Sequence, residues 1–101
     1  MIEILIQKGY DQTVPFTYKT SFFTIRLYSW SGFIMVDIKA DDKYVAVGVL
    51  STNNTDIVQG RGKMKGNFRL VNTSSDENYP NVNGLGDKYK LYYITPEEME
   101  E

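Results

Sequence analysis

This 101-residue sequence predicts an all-β fold: a small antiparallel β-barrel or sandwich of six to seven short strands. Three observations carry that expectation. Apolar residues alternate with polar ones at period two, as in Phe23, Ile25 and Leu27 against Thr24, Arg26 and Tyr28, the signature of half-buried strands. Clusters such as Ser29-Trp30-Ser31-Gly32 and Asp41-Asp42 supply turn chemistry between such runs. No helix-period segment is long enough to build a bundle, so the strands must close or stack to hide their edges.

The elements follow in order. Ile2, Ile4 and Ile6 share one face of a first strand, which Lys8-Gly9 ends. Thr13 to Tyr18 is extended, and Pro15 within it cannot donate to a ladder, so it marks a sheet edge or a bulge. Phe23 to Tyr28, then Ile34 to Lys39, then a strand on Val45, Val47 and Val49 form a meander. Ser51 to Thr55 is a polar loop, and Asp56-Ile57-Val58 reads equally as a short strand or a single turn. Gly60 to Gly66 is a glycine-spaced basic loop, Phe68 to Val71 a further strand, and Asn72 to Gly86 too long a polar excursion for a hairpin. The last strand, Tyr89 to Ile94, stops at Thr95-Pro96. Thr95 as N-cap and Pro96 at the first helical position could begin a helix. So short a helix is marginal alone, and a frayed acidic tail is expected instead. Residues 1–96 therefore read as a single β-barrel domain and 97–101 as an acidic C-terminal tail.

Composition narrows the function classes. A 42% apolar and 24% charged chain is ordinary for a folded domain, and the net charge of −2 argues against overall capture by nucleic acid or anionic lipid. The sequence holds no histidine and no cysteine, the residues on which neutral-pH proton transfer and most transition-metal sites lean. No secretory leader is visible at Met1 to Gln7 and no run approaches a bilayer span, so a soluble intracellular protein is expected. The Asn53 and Asn72 sequons then read as polar turns.

Candidate chemistries fare poorly against plainer readings. Arg61, Lys63, Lys65 and Arg69 could contact an anion or nucleic acid, but the spacing is not that of a P-loop and a solvated loop is the plainer reading. Gly84-Leu85-Gly86 lacks the third glycine of a dinucleotide fingerprint. Abundant tyrosine, with Arg26 beside Tyr28 and Lys90 beside Tyr92, loosely fits a base-stacking face. The same rings serve better as core or protein interface. Asp41 and Asp42 read as turn residues and Asp37 as a solvent-face strand residue. Neither a calcium loop nor a nucleophile motif is present. No enzyme, cofactor, metal site or catalytic residue is expected.

Taken together, Thr13 to Pro96 resembles the baseplate plug domain family of contractile-tailed bacteriophages, known from a cyanophage. The matching pieces are Phe16-Thr17-Tyr18 with Phe23-Thr24-Ile25-Arg26-Leu27, then Phe33-Ile34-Met35-Val36-Asp37-Ile38. Gly48-Val49-Leu50 with Asp56-Ile57 follows, and finally Leu85-Gly86 with Leu91-Tyr92-Tyr93-Ile94-Thr95-Pro96. The resemblance implies a non-catalytic structural component of the virion tail baseplate, made in the host cytoplasm, at the hub and tube centre. Its implied partners are other phage tail proteins (baseplate hub, tail tube, spike), in a symmetric homo-oligomer, with no membrane and no nucleic acid. The expected partner-contact residues are Ile2, Ile4, Arg61, Lys63, Met64, Lys65, Tyr79 and Met99. The alternative is a single-stranded nucleic-acid-binding small β-barrel.

Overall fold

Tight turns build the larger of two sheets. In the computed structural model, which describes residues 1–59, 66–73 and 84–99, Lys19-Thr20, Ser31-Gly32 and Asp41-Asp42 each join two neighbouring strands. Left-handed backbone at Lys19, Ser31, Gly32 and Asp41 gives these short loops the twist that right-twisted strands require. They connect β2 (Asp11–Tyr18), β3 (Ser21–Trp30), β4 (Phe33–Ala40) and β5 (Lys43–Leu50) into an antiparallel sheet of order β2-β3-β4-β5. The smaller sheet has the order β1-β7-β6, from β1 (Ile2–Ile4), β6 (Asn67–Asn72) and β7 (Tyr89–Ile94).

The sheets face each other across one core. Ile25, Leu27, Ile34, Val36 and Ile38 of the larger sheet and Phe68, Leu70, Tyr89 and Leu91 of the smaller are fully buried. Phe68 of the smaller sheet meets Phe23 of the larger edge-on at 5.2 Å, and Phe16 of the larger lies tilted 5.2 Å from Tyr93 of the smaller. These contacts tie the two layers through tilted and edge-on ring geometries, and aromatic pairs favour such arrangements over face-to-face stacking.

The layers form a sandwich rather than a closed barrel, because the edges are blunted locally instead of being joined. On β2, Ser29 N–H bonds the Tyr10 carbonyl, and counting along the register turns the Pro15 nitrogen outward. Proline there removes an outward donor. On β5, two register shifts against β4 create bulges. Gly48, at φ 61°, turns its N–H onto Asp37 Oδ1 at 2.6 Å. The bulges also overturn the expected alternation: Val45 and Ala46 both face the core, while Val47 is exposed. On β6, residues 53–58 lie along the edge as neither strand nor helix. Ile57 N–H bonds the Phe68 carbonyl, Asn54 N–H bonds that of Leu70, and buried Asn67 bonds both the N–H and the carbonyl of Val58.

At the C-terminus, Pro96–Met99 form one helical turn, α1, in place of the expected frayed tail. Thr95 and Glu98 form a reciprocal cap: Thr95 Oγ1 accepts from Glu98 N–H at 3.3 Å, and Glu98 Oε1 accepts from Thr95 N–H at 3.0 Å. Contacts to other parts of the chain then hold a turn too short to persist alone.

Candidate interaction surfaces

Two surfaces collect exposed side chains. The first is the terminal end, where β1 and α1 meet. The Met1 amine pairs with Glu98, while Glu97 takes Lys19 Nζ at 3.1 Å and the Tyr18 hydroxyl at 3.3 Å. The Met1 amine, with Thr95 behind it, lowers the Glu98 carboxyl to about 2. Glu97 is lowered by its own backbone N–H and by Lys19. Around these ties stand exposed Met1, Leu5, Ile2 and Met99. Gly86 makes the approach of the N-terminal segment possible: a Cβ there would sit 2.4 Å from the Ile6 carbonyl oxygen.

The second surface is the outer face of the larger sheet. Cross-strand register places Asp11, Tyr28, Met35 and Leu50 in one row, and Thr13, Arg26 and Asp37 in the next. Arg26 grips Asp11 through two bonds of 3.0 and 2.8 Å and approaches Asp37 at 3.8 Å. Its guanidinium lies over the Tyr28 ring at 4.4 Å. Asp37, expected simply to face solvent, also accepts from the Tyr28 hydroxyl at 3.3 Å. Burial first and Asp37 second push that hydroxyl upward, and the bonds from Arg26 lower the Asp11 carboxyl. These bonds hold Asp11, Arg26, Tyr28 and Asp37 in one fixed arrangement on the sheet face. Phe22, Trp30, Tyr44, Val47 and Leu50 surround it, all exposed. Among the described residues, no group of three or more acidic side chains gathers to hold a metal ion.

The structure divides the expected contact residues. Ile2 and Met99 are 36% and 38% exposed, and the Met1–Glu98 pair brings their segments to one end of the molecule. Ile4, at 5% exposure, belongs instead to the core, where its side chain is part of the hydrophobic cluster. Its neighbour Leu5, 82% exposed, is the accessible residue. Arg61, Lys63, Met64, Lys65 and Tyr79 lie outside the described residues. Sequence reasoning missed the outer-face group of Trp30, Tyr44, Val47 and Leu50. Gly48 was the available sign for Val47 and Leu50, because an isolated glycine within a strand pattern marks a bulge.

A family model described as cyanophage baseplate Pam3 plug gp18 matches residues 1–97, a span that includes both sheets. The chain belongs to this baseplate plug family. No curated protein matches it. Membership makes the chain a structural component of the phage virion tail baseplate, working in contact with other phage tail proteins.

Proposed function

We propose that the chain packs at the hub and tube centre of the baseplate as a non-catalytic part, in a symmetric homo-oligomer, through protein–protein contacts at its exposed end and sheet face. The match to the plug family over nearly the whole chain carries this reading. Two features of the surface support it. Exposed aromatic and aliphatic residues surround an Arg–Asp–Tyr cluster in which Arg26 bridges Asp11 and Asp37, and aromatics with arginine are enriched at protein interfaces. The blunted edges of β2, β5 and β6 disfavour uncontrolled strand pairing, as an assembly component requires.

The nucleic-acid alternative gains no comparable observation. Arg69 is held by Asp56 at 2.6 Å and Arg26 by Asp11, so neither is a free phosphate contact. Crosslinking mass spectrometry on isolated baseplates tests the reading. Crosslinks from Lys19, Lys39 or Lys43 to hub or tube proteins are expected. A chain recovered only as a monomer, with no tail protein crosslinked, would overturn it.

A further inference from the structure

Sheet edges outside β1 are blunted: Pro15 on β2, bulges on β5, and residues 53–58 along β6. The direction of the β1 backbone follows from the ladder. Phe68 and Leu70 direct their carbonyls to Ile57 and Asn54, away from β7. Antiparallel pairs alternate between facing inward and outward, so the partners Tyr93 and Leu91 direct their backbone groups toward β1, at Ile2 and Ile4. Glu3 lies between these two, which turns its N–H and carbonyl out of the sheet. No backbone bond to Glu3 outside the β1–β7 ladder exists among the described residues.

The side chains on this edge add a second specification. Continued to the residues flanking β1, strand alternation sets Met1 and Leu5 on the face of Glu3, opposite to Ile2 and Ile4. Met1 and Leu5 are exposed. Glu97 and Glu98 are committed to Lys19 and the Met1 amine, whereas Glu3 has no ion pair among the described residues.

We infer that β1 receives an extended strand from another baseplate protein, carrying a basic residue opposite Glu3 between two apolar ones that meet Met1 and Leu5. A backbone without a partner among the described residues specifies a strand as the occupant. The pattern of apolar, acidic, apolar specifies its complement, because opposite charges across a strand pair attract and like charges repel. This inference rests on the proposed packing against hub and tube proteins, and deepens it by naming the kind of segment that binds.

Glu3→Pro, read against Glu3→Ala, which loses the same carboxylate but keeps the N–H, tests the backbone contribution: it removes an outward N–H without touching the bonds of Ile2 and Ile4 to β7. The variant is expected to melt as the wild type does and to enter baseplates at least about tenfold less, while Glu3→Lys, which keeps the N–H, loses severalfold. Amide exchange in the wild type provides an arm independent of variant folding. The Glu3 amide should exchange freely in the isolated chain and be protected in isolated baseplates. Free exchange in both would overturn the inference and leave the packing reading intact. Protection that grows with concentration of the isolated chain would assign the edge to a second copy, and protection at high dilution would assign it to this chain's own segment; either overturns the inference. A chain not crosslinked to any hub or tube protein would overturn both readings.

Discussion

The four-stranded sheet comes from one unbroken stretch, Asp11 to Leu50, with each strand pairing with the next through a two-residue turn. The three-stranded sheet is gathered from the two ends of the chain, pairing Ile2 with Tyr93 and Asn67 with Ile94. Local hairpins close at little entropic cost, whereas distant strands must be brought together before their contacts can stabilise anything. The first sheet is therefore specified strand by strand. The second exists because the first offers it a face to cover.

Phe68 sits where the sheets meet, so its removal disturbs that dependence most. Phe68→Ala should cost about 3–5 kcal/mol and lower the denaturant midpoint in a single transition. Two separate transitions would show that the sheets fold independently. Asn67→Ala should cost roughly 1–3 kcal/mol by leaving the Val58 backbone groups without partners. It should also uncover the β6 edge, which light scattering would register as increased self-association. Gly86→Ala forces a side chain onto left-handed backbone and against the Ile6 carbonyl, a strain of about 1–3 kcal/mol. Its effect should concentrate in the N-terminal segment, read as faster amide exchange at Ile2 and Ile4 with β3 and β4 unchanged.

Acid provides a milder test of the same end. The Glu98 carboxyl is lowered to about 2 in the folded chain, below its unfolded value of about 4.3. Its contribution is therefore complete above the unfolded value and lost as pH falls through the folded one. Docking of β1 should loosen between about pH 4.3 and pH 2, and Glu98→Gln should flatten that dependence in β1 amide exchange. Arg26→Met should change least. Its pair with Asp11 is solvent-exposed, and such pairs contribute little, so the melting midpoint should stay within measurement error while entry into baseplates falls.

Much of the larger sheet was legible in the amino-acid order. Phe23, Ile25 and Leu27 alternate cleanly with polar neighbours, and Asp41-Asp42 occupy their turn. Strand β7 was also legible, because Thr95-Pro96 punctuates its end. The candidate surfaces were only half legible. Ile2 and Met99 could be named from their terminal positions, but the sequence treated Ile2 and Ile4 alike, although one is accessible and the other is core.

Period-two alternation and turn residues are local properties, so the sequence alone determined the all-β class and the meander. Tertiary structure decided the rest: sandwich over barrel, Val47 outward, residues 96–99 helical, and which edge has no backbone partner among the described residues. Each of these depends on groups far apart in the chain meeting in space. Asp37 meets the Gly48 N–H across β4 and β5, Asn67 holds Val58 against the β6 edge, and Met1 meets Glu98 across β1 and α1, contacts between elements that no pattern within one element specifies.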